Sequence, residues 1–197
     1  MYTEHGQIGD IYSTDITAYM ENIECLEEMP HEYVVIAPSY MVYKADYSEF
    51  LDAHIESGAD ISMMYHSVDN AKDAIEPNHG NAKNRNISMD TYVRKKDRFI
   101  ELVRKASKRS SMYTFADILD EESENLDIRA VSHRGFFAII NDFNAYYQAN
   151  MSLVDLNNAG SLFDKDWPIY THTNDSCPTQ YFEGSKVTSS VVSNGCL

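Results

Sequence analysis

The sequence predicts a three-layer α/β domain that extends from Tyr33 to about Asn157. Short apolar runs rich in β-branched residues alternate there with segments whose apolar side chains recur at helical spacing. Apolar residues make up 43% of the 197-residue chain, enough for a sizeable core. This alternation favours a sheet that is covered by helices on both faces.

One strand–helix–strand unit carries most of this prediction. A strand at Tyr33–Ala37 leads to a helix at Tyr47–Ser57, which Gly58 is placed to terminate, and a second strand follows at Ile61–Tyr65. Such connections usually join parallel strands by a right-handed crossover. The two strands are therefore expected to be parallel neighbours in a mostly parallel sheet.

The remaining elements are predicted from the same periodicities. The helices are expected at Asp15–Glu28, Lys96–Ala106, Phe115–Leu119 and after Asp142, and the strands at Ile87–Val93, Asp127–Ser132 and Phe136–Ile140. Residues 69–86 are polar and without a period, which predicts a loop. The last helix, which Asp142 is placed to cap, is expected to turn one apolar set inward: Phe143, Tyr146, Tyr147, Met151 and Val154.

Charge and cysteine content exclude several classes of function. The formal net charge of −15 repels phosphate backbones, so we expect no nucleic-acid partner. No apolar run approaches the length of a membrane span, and three widely spaced cysteines argue against a disulfide framework. A cytoplasmic protein without a membrane partner is the expectation.

Half of the 16 lysines and arginines lie between Arg94 and Arg109. We interpret this concentration as the solvent-facing side of a helix whose buried side includes Phe99 and Val103. An anion-binding site is the alternative that the sequence leaves open.

Several longer segments carry a resemblance to a known family. They are Tyr43–Glu49, His54–Asp60, Ser88–Val93, Tyr147–Met151, Asp166–Thr171 and Asn174–Pro178. On these segments the chain resembles the bacterial glucose-1-phosphate adenylyltransferases (ADP-glucose pyrophosphorylases), and in particular the regulatory D-type subunit of Gram-positive bacteria. The family makes ADP-glucose and pyrophosphate from ATP and glucose 1-phosphate with Mg²⁺.

The resemblance implies two domains. Residues 1–157 would form a Rossmann-like nucleotidyltransferase domain that lacks its N-terminal glycine-rich loop. Residues 158–197 would form a linker and the first coil of a left-handed β-helix. The alternation of short apolar pairs with small polar residues in 189–197 is compatible with such a solenoid, although one repeat does not establish a period.

The family's two metal-binding aspartates correspond to Tyr40 and Ile139 in this sequence. A phenol is a poor Mg²⁺ ligand at neutral pH and an isoleucine is none, so we expect no catalytic residue, no metal ligand and no cofactor in this chain. A shift of register is the alternative, and Asp46 and Asp142 are the carboxylates that it would bring in. The resemblance gives Glu76 and Ser88 as candidate substrate-binding residues, and Asp90 replaces a glycine of the family where a phosphosugar would approach.

Two hypotheses follow. In the first, the chain is a regulatory, catalytically impaired subunit that forms a hetero-oligomer with a catalytic homologue, and the catalytic partner holds the Mg²⁺. In the second, it is an active nucleotidyltransferase that tolerates the substitutions. A nucleotide or a sugar phosphate is a candidate ligand in both. Contacts with the partner are expected around Trp167–Tyr170 and Val191–Val192.

Overall fold

A computed structural model of the chain describes residues 14–68, 85–110, 112–170, 176–188, 190 and 192–196. In this part the helices are α1 (Asp15–Glu21), α2 (Ile23–Glu28), α3 (Tyr47–Ser57), α4 (Lys96–Ser107), α5 (Phe115–Glu122), α6 (Phe143–Ser152) and α7 (Leu156–Leu162). The strands are β1 (Tyr33–Ile36), β2 (Met41–Tyr43), β3 (Ile61–Val68), β4 (Arg85–Lys95), β5 (Ile128–His133) and β6 (Phe137–Ile139). None of the helices in these ranges is long and apolar enough to cross a membrane.

The main sheet has four strands in the order β1-β4-β3-β5, and its topology corrects the prediction of parallel neighbours. Strand β4 is antiparallel to both β1 and β3, whereas β3 and β5 are parallel. Strands β1 and β3 therefore run in the same direction, as the crossover rule requires, but β4 lies between them. The rule fixes direction and leaves adjacency open, so the sheet is mixed and the prediction of a mostly parallel sheet is wrong.

Helices cover both faces of this sheet, which confirms the three-layer arrangement. The consecutive residues Tyr92 and Val93 of β4 point to opposite faces and enter different core clusters. On the face of Tyr92 the core is built with α1, α2, α4 and α5 around Phe99 and Phe115. On the face of Val93 it is built with α3 through Phe50.

The N-terminal helix is interrupted, in contrast to the continuous helix that the periodicity predicts. Asn22 separates α1 from α2, and its side-chain amide donates to the carbonyl of Ala18 at 2.9 Å. In a continuous helix the same carbonyl would accept from the backbone N–H of Asn22, so the side chain competes with the backbone for this acceptor.

Helix α4 is amphipathic as predicted, and its basic side chains are largely paired. Phe99 and Val103 are buried, while Arg104 and Lys105 form ion pairs with Glu27 and Glu122. Arg94 departs from the prediction: it is 4% exposed, and its Nε and Nη1 atoms have no hydrogen-bond partner. Carboxylates already pair with these basic side chains, so this surface does not support the alternative of an anion-binding site.

A second, two-stranded sheet carries α6. Strands β2 and β6 pair antiparallel, with Met41 opposite Ile139 and Val42 opposite Ala138. Ala138 then packs with Ala149 of α6 in a third core cluster.

The inward face predicted for α6 is wrong. Phe143 is 83% exposed and Tyr146 and Tyr147 are each more than half exposed, while Ala145 and Ala149 are buried. The small side chain of Ala138 lets α6 approach the β2–β6 pair closely, and at that short distance only small residues of the helix fit. The size of the apolar side chains is therefore a misleading guide to which face of α6 is buried.

The predicted start of a β-helix is not seen. Helix α7 crosses residue 157, where the domain boundary is predicted, and the described residues from Phe163 onward contain no strand. The division into two domains stays a prediction.

Gly58 and Gly160 give a matched test of the backbone. Gly58 has φ +65 at the end of α3. A Cβ atom added at either glycine would lie in open space and meet no neighbouring group within 4 Å. We expect Gly58→Ala to lower the free energy of unfolding by about 1 kcal/mol, because L residues are strained in the left-handed region. Gly160→Ala, inside α7, should raise it by about 0.5–1 kcal/mol. Urea denaturation measures both, and equal shifts of the same sign would contradict this account.

Candidate functional site

The two predicted metal-carboxylate positions lie together in the fold, although they are 99 residues apart. Strand β2 begins directly after Tyr40, and the backbone N–H of Ile140 donates to the Tyr40 carbonyl at 2.7 Å. Ile139 is paired with Met41 in the same ladder. The β2–β6 pair therefore brings the backbones of Tyr40 and Ile139 together at one edge, the end of this two-stranded sheet.

The phenol of Tyr40 is bonded to a carboxylate that sequence reasoning did not connect with it. Its Oη atom donates to Oδ2 of Asp90 at 2.6 Å. The other oxygen of Asp90 accepts from Ser88 Oγ at 2.9 Å and from Tyr92 Oη at 3.3 Å. Three hydroxyl groups thus converge on one carboxylate, and such bonds to an ionised acceptor are short and strong.

The backbone of β4 is distorted where it presents Asp90. The pairing with β3 shifts register, so that Met63 lies opposite Tyr92 but Tyr65 lies opposite Ser88. Asp90 falls in this bulge and has φ 44, a conformation that aspartate tolerates better than most residues. Bulges re-aim side chains and occur often beside functional sites. Here the bulge turns the carboxylate towards Tyr40.

The phenols of this cluster are held in their protonated form. Burial, followed by the hydrogen bond to Asp90, raises the pKa of Tyr40 above its ordinary range. Burial and the charge of Asp90 raise the pKa of Tyr92 to about 12. Both side chains are therefore neutral hydrogen-bond donors at neutral pH.

The residues present do not fit a magnesium site. Mg²⁺ is bound through carboxylate and phosphate oxygens in octahedral geometry, whereas Tyr40 is neutral, Ile139 has no polar side-chain atom and the Asp90 oxygens face three hydroxyl groups. Asp46 and Asp142, the carboxylates of the register alternative, each accept hydrogen bonds from backbone N–H groups as helix N-caps. Within the described ranges, no three His, Cys, Asp or Glu side chains are grouped so as to hold a metal ion.

A second chain of hydroxyl groups fixes β2 to the sheet. Thr91 Oγ1 donates to the carbonyl of Met89, so Tyr43 Oη must donate to Thr91 Oγ1, at 2.6 Å. Tyr47 Oη then donates to Tyr43 Oη at 3.1 Å. This chain links α3, β2 and β4 just behind the Tyr40–Asp90 pair.

A pair of histidines lies beneath the turn between β2 and α3. Nε2 of His133 donates to the Lys44 carbonyl at 2.9 Å, which leaves its Nδ1 as the acceptor for Nδ1 of His66 at 3.4 Å. The His66 ring stacks on Phe137 of β6. Above them, the Lys44 ammonium lies 4.5 Å from the centre of the Trp167 ring. The pair thus connects the two sheets and the turn that carries Lys44, and Lys44 in turn contacts Trp167.

Of the other predicted site residues, Glu76 lies outside the described residues. Ser88 is exposed, and its hydroxyl both accepts from the Asp90 N–H and donates to the Asp90 carboxylate. It is therefore occupied within the cluster. Sequence reasoning missed the Tyr40–Asp90 pair because the partners are 50 residues apart and no local pattern relates them.

Tyr40→Phe tests the phenol–carboxylate bond. We expect the free energy of unfolding to fall by about 1 kcal/mol, because the bond involves a charge but lies in a partly exposed site. Tyr170→Phe, at a side chain that is 92% exposed, is the control and should change nothing. Adding Asp90→Asn to both the parent and Tyr40→Phe completes a double-mutant cycle. A coupling energy of zero in that cycle would contradict the bond.

The histidine pair predicts a dependence of stability on pH. Burial lowers the pKa of His133 below its ordinary value of 6.5, against the opposing effect of the Lys44 carbonyl. Because the unfolded chain then binds the proton more readily, the free energy of unfolding should fall as pH drops below about 6.5, by at most about 1.4 kcal/mol per pH unit for this residue.

Chemical denaturation between pH 7.5 and 5 measures this slope. His133→Gln, which keeps a donor for the Lys44 carbonyl, should reduce it, whereas His31→Gln at an exposed position should not. Some slope should remain, because burial also lowers the pKa of His54. An unchanged slope in His133→Gln would exclude the pair as its source.

Comparison with known proteins gives distant relatives that include several bacterial glucose-1-phosphate adenylyltransferases. No family model matches the chain. The chain is 27% identical over 216 aligned positions to the glucose-1-phosphate adenylyltransferase of Lachnospira eligens. The alignment covers 98% of this chain and 49% of that protein. Identity to the enzymes of the same name is 28% for Clostridium acetobutylicum, over 96% of this chain and 54% of the relative. Identity to the enzyme of Rhizobium radiobacter is 29%, over 94% of this chain and 54% of that protein.

The chain spans about half the length of the curated relatives it matches. The mixed α/β architecture is consistent with a nucleotidyltransferase domain, and the alignments cover nearly the whole chain. The chain is therefore a distant homologue of the glucose-1-phosphate adenylyltransferases.

Proposed function

We propose that this chain is a regulatory, catalytically impaired relative of the glucose-1-phosphate adenylyltransferases. It binds a catalytic homologue and changes how that subunit makes ADP-glucose from ATP and glucose 1-phosphate. The observation that carries the proposal is the Tyr40–Asp90 hydrogen bond, which occupies the edge where the resemblance implies a metal-binding aspartate.

The chemistry of this edge supports the loss of activity. Phosphoryl transfer depends on stabilisation of developing negative charge, and removal of one preorganised group commonly costs about 10²–10³ in rate. Tyr40 and Ile139 supply no such charge stabilisation, and the Asp90 carboxylate adds a negative charge. The Mg²⁺ of the reaction belongs to the catalytic partner in this proposal.

One observation favours the second candidate, an active nucleotidyltransferase. The Asp90 carboxylate is only 2.6 Å from the Tyr40 hydroxyl, so a carboxylate is present close to a position where the resemblance implies one. Its three hydroxyl donors argue against this role, because a metal would have to replace them.

An activity assay separates the two candidates. We expect no measurable ADP-glucose from the purified chain with ATP, glucose 1-phosphate and Mg²⁺, and only slight recovery in the double variant Tyr40→Asp, Ile139→Asp. Adding Asp90→Gly to that variant removes the competing charge and the strained backbone together. A catalytic homologue assayed in parallel is the positive control. Turnover of about 1–10³ s⁻¹ by the unmodified chain would support the active enzyme instead.

Assembly with the partner is tested by mixing. The chain and a catalytic homologue should sediment as one species, and the mixture should show a changed KM or effector response relative to the homologue alone. Tyr40→Phe should change neither the sedimentation of the mixture nor its kinetics, since the proposed assembly does not use the phenol. Separate sedimentation with unaltered kinetics at micromolar excess of the chain would refute the regulatory role.

A further inference from the structure

Two histidines face each other across neighbouring strands of the main sheet. His66 of β3 and His133 of β5 are directly opposite in the parallel ladder, and their Nδ1 atoms lie 3.4 Å apart. This separation is long for a hydrogen bond from an N–H group, which ordinarily spans about 2.7–3.2 Å. Backbone hydrogen bonds hold both strands. The two ring nitrogens therefore form a pair whose spacing is fixed before any ligand binds.

The separation of the two nitrogens favours one class of metal ion. Two imidazole nitrogens that each lie about 2.1 Å from a tetrahedral zinc ion are about 3.4 Å apart. Adjacent ligands at the same distance from an octahedral ion are only about 3.0 Å apart. The observed 3.4 Å agrees with the tetrahedral value. Imidazole also suits zinc, whereas Mg²⁺ and Ca²⁺ prefer oxygen ligands.

His133 already has the tautomer and the orientation that a metal ion requires. Its Nε2 donates to the Lys44 carbonyl at 2.9 Å, so the lone pair of its Nδ1 is directed to His66. Histidines that bind metals commonly donate their second N–H to a backbone carbonyl or a carboxylate, which fixes the ring and its tautomer. His133 is 8% exposed, so packing also restrains this orientation.

His66 is the ring that has to adjust. It is partly buried, and it stacks on Phe137. In the hydrogen-bonded pair its Nδ1 carries the proton, and metal binding requires the other neutral tautomer, with the proton on Nε2. The bond to a tetrahedral ion makes an angle of roughly 35° with the line that joins two of its ligands. A small rotation of the ring therefore aims Nδ1 at the ion.

The charges around the pair do not oppose a cation. The Lys44 ammonium lies 4.0 Å from the Asp164 carboxylate and 4.5 Å from the centre of the Trp167 ring, so its charge is balanced by groups other than the histidines. The chain as a whole carries a net charge of −15, which attracts cations.

We propose that His66 and His133 bind one Zn²⁺ ion through their Nδ1 atoms, with water in the two remaining positions of the tetrahedron. Within the described ranges no group of three His, Cys, Asp or Glu side chains surrounds this point, so the protein supplies two ligands. The ion ties β5, an edge strand of the main sheet, to β3. The site uses none of the residues of the Tyr40–Asp90 cluster, and the proposal is independent of the proposed function.

Two protein ligands give a site of moderate affinity. Structural zinc sites with four ligands have apparent dissociation constants of roughly 10⁻⁷–10⁻¹² M. Half of that binding free energy corresponds to a dissociation constant of roughly 10⁻⁴–10⁻⁶ M, which is the range expected for this pair. Loss of either histidine leaves a single ligand and removes the chelate.

Calorimetric titration of the 197-residue chain with ZnCl₂ at pH 7.5, where histidine is ordinarily neutral, tests the site. We expect binding in the stated range that weakens at least about tenfold in His66→Gln and in His133→Gln. His31→Gln, at an exposed position, is the control and should leave the affinity unchanged. An excess of MgCl₂ should not compete with zinc, because Mg²⁺ prefers oxygen ligands.

Circular dichroism verifies that the variants are folded, and the partly buried His66→Gln decides alone if His133→Gln does not fold. Nitrogen-15 spectra of the histidine rings should show zinc at Nδ1 of two residues. Absence of binding up to about 10⁻³ M zinc, tenfold above the weakest expected constant, would overturn the proposal. So would equal affinity of the parent chain and His66→Gln, which would place the zinc on other groups such as the cysteines, or coordination through Nε2.

Discussion

Strand β4 is the element on which the other parts of the fold depend, because it is hydrogen-bonded on both sides and packed on both faces. Its two ends pair with β1 and β3 on either side of the bulge, and its side chains enter both of the large core clusters. The same strand supplies Asp90 and Thr91, which hold Tyr40 and Tyr43. A change of register in β4 would move its side chains to the wrong face and separate the site from β2.

The bulge in β4 shows how a structural irregularity acquires a chemical consequence. Met89 and Thr91 face one side of the sheet and Asp90 faces the other with Ser88 and Tyr92, and within the bulge, at φ 44, the Asp90 carboxylate bonds to Tyr40 at the β2 turn. Burial and the carboxylate keep the phenol of Tyr40 protonated, and the phenol in turn occupies one carboxylate oxygen. A hydrogen bond from a phenol to a carboxylate thus stands where the resemblance implies a cation between carboxylates.

The sequence predicted what depends on local chemistry and missed what depends on long-range pairing. Helix α3 was predictable to the residue, because Asp46 caps it and Gly58 ends it. The position of β4 between β1 and β3 was not predictable, because crossover rules give the direction of the strands and not their order in the sheet. The Tyr40–Asp90 contact escaped for the same reason: its partners come together only through the β3–β4 bulge and the β2 turn.

The error at α6 has a different origin and links the site to the surface. Periodicity correctly placed a stripe on the helix, but large apolar residues were assigned to the core, whereas the buried residues are the small ones, Ala145 and Ala149, and Ala149 packs with Ala138. The large residues are exposed. Helix α6 begins four residues after Ile139 and rests on the same two-stranded sheet. The helix and the candidate site therefore belong to one structural unit.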